Sequence, residues 1–249
     1  MAIIKVGSFG GLSASVRPEG IARRAAWKGL RTLGMIFEAS RAGVAPPVRF
    51  AESQEPRGLA LKGIRLTDGF EGFLASLFNP THEVYFVSWA WDLSGEPPTT
   101  YPGAGAPPAG CLIPMRVGKL REFLGRGVGL FPARTVRAGL AVRIQVWESD
   151  ADVRAFGRAM ADVADTVGKS ELNRLLTLAS TATGIEGATL GLIKDAALEL
   201  ATLVGGVLAA NGDDYVDFFE GYYPASDPWP VGEERHAGEF CEIVLSRFQ

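Results

Sequence analysis

Histidine and cysteine are nearly missing from this chain: two of each occur among 249 residues. Cys111 and Cys241 are too few for a disulfide framework and fit no spaced zinc pattern, so reduced core thiols are expected. His82 and His236 are the whole imidazole supply, which leaves little to activate a nucleophile. Cys241 and His236 are the one sequence-adjacent pair. Because Cys241 alternates with Ile243 and Leu245 on an apolar strand face, it reads as a packing residue. Charge of one sign is lacking too. The 25 Lys and Arg nearly balance the 28 Asp and Glu, and a net charge of −3 creates no field that would gather nucleic acid. Long apolar runs are absent: Leu200 to Ala210 is the longest uncharged one and falls well short of the roughly 20 residues that cross a bilayer. Met1 to Phe9 lacks the apolar run and cleavage site of a secretory signal, so a cytoplasmic protein is expected.

Glycine motifs that would signal nucleotide binding fail in detail. Gly168-Lys169-Ser170 imitates the end of a phosphate-binding loop, but that loop needs glycine where Val163 stands. In Gly125-Arg126-Gly127-Val128-Gly129 the third glycine of a dinucleotide fingerprint would fall on Leu130. Ser8 in Gly7-Ser8-Phe9-Gly10 lacks the spacing of a nucleophile elbow.

What the chain does contain is strand rhythm. From Leu140 to Glu148 the residues Leu140, Val142, Ile144 and Val146 alternate with Arg143 and Gln145, which predicts a half-buried strand. His82 to Asp92 is apolar on both faces, with Val84, Phe86 and Ala90 opposed to Tyr85, Val87, Trp89 and Trp91, and predicts a central strand. Further runs at Gly58 to Leu66, Cys111 to Val117, Val128 to Arg134, Tyr215 to Tyr222 and Phe240 to Phe248 bring the count to seven. The five prolines of Gly95 to Gly110 predict a long exposed loop. Between 151 and 212 the rhythm changes to threes and fours, at Val153, Phe156, Met160, Val163 and Val167 and again at Leu190, Ile193, Ala197, Leu200, Val204 and Leu208. A shorter helix is predicted from Glu171 to Ala179. The expected fold is therefore mainly β: one antiparallel β-sandwich domain formed by about 58–150 and 213–249, with a helical insertion at about 151–212 and an N-terminal extension at 1–57.

Candidate sites are few. Asp68 and the pair Asp150 and Asp152 lie at strand exits, where carboxylates from two loops could converge as hard oxygen ligands for calcium. Asp150 and Asp152 equally suit the first turn of a helix, where the dipole favours negative charge without a metal. Glu19 to Leu33 could form a basic helix with Arg23, Arg24, Lys28 and Arg31, suited to an anionic membrane surface. Trp91, Tyr101, Tyr222, Tyr223 and Trp229 are aromatic candidates for a protein partner.

Leu66-Thr67-Asp68-Gly69, then Val142 to Asp150, then Trp229 and Gly238 to Leu245, resemble the strand order of a C2 domain. That resemblance implies an eight-stranded sandwich binding calcium and phospholipid through aspartates in its end loops. The Asp-x-Asp pair of that family is matched at Asp150 and Asp152, Glu148 stands where a further aspartate is expected, and the first loop offers Asp68. The functional expectation is a binding or assembly module without covalent chemistry, self-associating or docking to a protein partner and needing no cofactor. Calcium-assisted membrane binding is the alternative, and an enzyme pairing Asp92 with Asp217 is the third. The small residues of Gly187 to Ala210 suit close packing over a sheet face, and a stripe left exposed there would make an interface between copies.

Overall fold

The computed structural model describes residues 50–67, 81–103, 110–149, 153–181, 187–210 and 212–249. Ten strands and three helices are found there: β1 Arg57–Leu66, β2 His82–Trp91, β3 Thr99–Tyr101, β4 Ile113–Met115, β5 Leu120–Glu122, β6 Val128–Arg134, β7 Gly139–Glu148, α1 Val153–Gly168, α2 Glu171–Thr181, α3 Gly187–Ala210, β8 Asp214–Pro224, β9 Gly232–Ala237 and β10 Cys241–Phe248. All strand pairings among them are antiparallel. One sheet runs β9-β10-β1, with β6 and β5 sharing the far edge of β1; the other runs β8-β7-β2, with β3 and β4 sharing the far edge of β2. The β-sandwich and its helical insertion are thus as the side-chain rhythm predicts.

Between the sheets, Leu59, Leu61 and Ile64 of β1 and Cys241, Ile243 and Leu245 of β10 meet Val84 and Phe86 of β2 and Leu140, Val142, Ile144 and Val146 of β7. Cys241 is accordingly a core thiol, and burial pushes its ionisation up. A second core lies on the opposite face of β2 and β7. There Tyr85, Val87, Trp89, Trp91 and Trp147 pack on Phe156 and Val163 of α1, Leu172 and Leu176 of α2, and Ile193, Ala197, Leu200 and Val204 of α3. Tyr85 meets Phe156 edge-on, with ring centroids 4.7 Å apart.

This second core corrects the expectation of a half-buried β7. Every residue from Gly139 to Glu148 is buried. Its polar alternates are not facing water but engage one another or their neighbours: Gln145 Nε2 donates to Ala201 O of α3 at 2.8 Å, and Trp147 Nε1 donates to Gln145 Oε1 at 3.2 Å. Polar residues with partners are as compatible with burial as apolar ones.

The proline-rich loop also needs correction. Thr99–Tyr101 pairs with Ser88–Ala90, because a strand at a sheet edge needs partners on one side only and these three residues carry no proline. Residues 104–109 lie outside the described ones. Two further short strands, β5 and β9, are rich in charged side chains and escape a reading based on apolar alternation.

The glycine strings find ordinary structural uses. Ser170 caps α2, its Oγ accepting from Asn173 N at 3.3 Å. Gly127, at φ 97°, turns the chain between β5 and β6, where a Cβ would meet Leu61 O. Gly238 sits in the β9–β10 turn against the carboxylate of Asp217, whose Oδ2 accepts from Phe240 N and Cys241 N at 3.1 and 3.2 Å. That turn is how β8 of one sheet grips β10 of the other. A Cβ at Gly238 would fall 1.8 Å from Asp217 Oδ2. Gly238→Ala is therefore expected to cost about 1–3 kcal/mol, whereas Gly129→Ala, which meets nothing within 4 Å, is expected to be neutral or slightly stabilising in the same denaturant titrations.

Candidate functional site

Each sandwich end gathers loops, and the end marked by the close of β2, the start of β7 and the close of β8 is the richer in chemistry. Arg57 is buried there and donates to three loop carbonyls: Pro224 O at 2.6 Å, Ala225 O at 2.7 Å and Asp227 O at 2.5 Å. Its guanidinium also lies 5.3 Å from the centre of the Trp229 ring, with Arg247 at 5.6 Å from that ring. Trp229 Nε1 donates to Phe248 O, and Tyr223 packs edge-on against the indole. The same end holds Asp92, whose carboxylate accepts from Arg134 Nη2 at 2.8 Å, Ser94 Oγ at 2.7 Å and Arg137 N at 3.0 Å.

Three of the five aromatics read as a partner surface are withdrawn into the core. Trp91, Tyr223 and Trp229 are 3, 7 and 5% exposed. They are core side chains, recruited because large rings bury the most apolar area. Tyr101 and Tyr222 are half-buried: Tyr101 stacks on Phe86 with centroids 4.3 Å apart, and Tyr222 Oη donates to Ala138 O at 3.1 Å.

Asp92 and Asp217 are not brought together. In register, Asp217 faces Val146 while Asp92 follows Trp91, which faces Ala141. The two carboxylates are thus about 20 Å apart along the strands at ~3.3 Å per residue. Burial raises the pKa of Asp217, although backbone N–H groups of Phe218, Phe240 and Cys241 pull it back.

Beside this end, between β2, β7, β8 and α3, lies a cavity of about 220 Å³. Trp91, Leu93, Ala141, Ile193 and Tyr222 give it apolar walls, and Arg143 and Glu220 contribute an ion pair. Sequence rhythm places Arg143 on the helix-facing side of β7, but it does not reveal Glu220 as its partner across β8. The pair is almost fully withdrawn from water, with side-chain exposures of 3 and 9%. Desolvation lowers the Arg143 pKa to about 10, against the attraction of Glu220, and the guanidinium lies 5.1 Å from the centre of the Trp91 ring. Among the described residues, Arg143 Nε and Glu220 Oε2 have no hydrogen-bond partner, and both atoms are sealed from solvent.

The opposite sandwich end carries two buried polar pairs. His82 Nδ1 and Glu148 Oε1 are 2.6 Å apart, and Tyr85 Oη donates to Asp213 Oδ2 at 2.7 Å. The calcium candidates Asp68, Asp150 and Asp152 lie outside the described residues, as do Arg23, Arg24, Lys28 and Arg31 of the basic segment. Among the described residues no group of three or more His, Cys, Asp or Glu side chains could hold a metal ion.

The helical layer presents a third surface. Along α3, Ala197, Leu200, Ala201, Val204 and Leu208 are buried. On the outer side, Leu203 is 42% exposed and Gly206 and Ala210 are exposed, with Thr202 and Val207 half-buried beside them. No charged residue falls between Glu199 and Ala210. Leu124 and Val231, the other exposed large apolar residues among those described, sit singly between strands.

No protein-family model and no curated protein matches the chain. Among solved structures, human group IVD cytosolic phospholipase A2, in complex with methyl gamma-linolenyl fluorophosphonate and terbium chloride, resembles it at a TM-score of 0.31 with 7% identity, over 80% of this chain and 18% of that one. The chain thus spans less than a fifth of that protein's length, and so slight a likeness carries no argument.

Four of the five tyrosines have their ionisation displaced upward, chiefly by burial: Tyr85, Tyr101, Tyr222 and Tyr223. Tyr101 is pushed up to about 12. A phenol whose folded pKa is raised stabilises the fold fully below its unfolded value near pH 10, and that contribution is lost as pH rises through the folded value. Arg143, lowered to about 10, and Arg57, also lowered by burial, act in the opposite sense, two groups against the four phenols and the thiols of Cys111 and Cys241, which burial raises as well. Above pH 10 the protein is expected to lose stability steeply, with phenolate absorbance rising together with the loss of circular dichroism. Phenolate forming well before unfolding would contradict this burial.

Proposed function

We propose that this chain is a C2-like binding module that works without covalent chemistry and associates with a second copy of itself through the outer side of α3. One observation carries the reading: the uncharged strip of Leu203, Gly206 and Ala210 remains exposed after α3 has covered the sheet. A helix that packs on one side usually carries polar residues on the other. An apolar strip left in water is a common mark of a contact surface, and the small residues let two helices approach closely. Treating β3 with β4 and β5 with β6 as two interrupted strands gives eight strands in two four-stranded sheets, which supports the C2-like part. The separation and full engagement of Asp92 and Asp217 favour binding over catalysis. No described helix is long and apolar enough to cross a membrane; a cytoplasmic location belongs to the same proposal.

Light scattering across a concentration series tests it. A dimer is expected at micromolar concentrations, and Leu203→Asp is expected to weaken association at least tenfold while leaving the melting midpoint of the monomer within a degree or two. A strictly monomeric wild-type chain at every concentration would overturn self-association.

A further inference from the structure

We infer that the rim formed by residues 116–126 is a docking edge for an extended acidic segment of a partner protein, added to the sheet alongside β5. This stretch runs along the far edge of β1. Gly118 N donates to Leu66 O at 2.9 Å, Leu120, Arg121 and Glu122 pair with Arg65, Ile64 and Gly63, and Phe123 N donates to Lys62 O at 2.8 Å. Because hydrogen-bonded positions alternate along an antiparallel pair, Arg121 and Phe123 turn their backbone groups to β1, and Leu120 and Glu122 turn theirs outward. Among the described residues β5 pairs with β1 alone, so those outward N–H and C=O groups form an open edge. Standing two residues apart, they match the repeat of another strand.

Charge sets the chemistry of that added strand. The rim holds Arg116, Lys119, Arg121 and Arg126 against Glu122 alone, in a chain whose total charge is −3, and all four cations are exposed. The ion pairs among the described residues engage other cations and leave these four without a carboxylate. Acidic side chains along the incoming segment would supply it. Leu124, 96% exposed in the turn after β5, offers an apolar residue of the same segment a surface to cover. A second copy fits poorly: β5 against β5 would bring like cations together, and the exposed β9 is of mixed charge. An anionic bilayer would attract the cations but presents no ordered partner to the backbone of Leu120 and Glu122.

Calorimetric titration of the full chain with a short peptide alternating glutamate and valine tests the assignment. One-to-one binding is expected, weakening as salt rises. It is expected to be at least tenfold tighter than for the lysine–valine counterpart or for the glutamate peptide methylated at its backbone nitrogens. Lys119→Glu with Arg121→Glu is expected to weaken binding at least tenfold. Glu122→Pro, which removes an N–H that β1 does not use, is expected to do the same while the melting midpoint stays within a few degrees. Leu203→Asp is expected to bind unchanged, which keeps this assignment separate from self-association. No binding at millimolar peptide, or equal affinity for the methylated or the lysine peptide, would overturn it. So would binding to phosphatidylserine vesicles from which the glutamate peptide cannot displace the chain. If neither rim variant folds, the order of the three peptides on the wild-type chain decides alone.

Discussion

One sheet of this protein has no face left for water. The strands β8, β7 and β2 lie between the second sheet and the helices, so apart from the exposed Glu83 and Asp214 near their ends, their residues must satisfy a neighbour on one side or the other. That requirement accounts for the aromatic density of β2, where Tyr85, Trp89 and Trp91 face the helices while Phe86 faces the sandwich. It also accounts for the polar side chains there. Arg143, Gln145 and Glu220 can lie within the second core because each finds a partner in an adjoining strand or helix. Removing one partner of such a pair leaves a buried charge uncompensated, which typically costs about 3–5 kcal/mol.

Architecture was written plainly in the side-chain rhythm, and β2 shows why. Past the exposed Glu83, its two apolar faces from Val84 to Trp91 admit no solvent-facing position, so a central strand follows from the residues themselves. The change of period near 151 and its reversal near 213 likewise mark where helices replace strands, within a few residues of Val153 and Ala210. What was not legible had a common cause. β5 and β9 are edge strands held by backbone pairing and carry no apolar alternation, and β7 alternates between apolar groups and polar groups that are equally buried. Periodicity reports chemistry, whereas burial depends on what lies opposite.

The candidate sites follow the same division. Trp229 and Tyr223 look available for a partner in the sequence, yet the fold uses them to hold the β8–β9 loop under Arg57, a guanidinium that binds three carbonyls of that loop. Conversely, the cavity beside Arg143 and Glu220 depends on register between β7 and β8 and on where α3 crosses them. No spacing along the chain announces it. The exposed strip of α3 stands between these cases: its small and apolar residues are visible in sequence, and its exposure is settled by the other side of the helix facing the sheet.

The helices leave the sandwich and rejoin it at neighbouring points. Glu148 and Asp214 are paired across β7 and β8, so the whole segment between them departs and returns at positions about 5 Å apart. Topologically it is an oversized hairpin loop, and a few residues could close the same gap. Such a shortened chain would keep every strand pairing but strip the cover from Tyr85, Trp89, Trp91 and Trp147, leaving a sticky aromatic plane. The insertion is thus dispensable as a connection and indispensable as a roof.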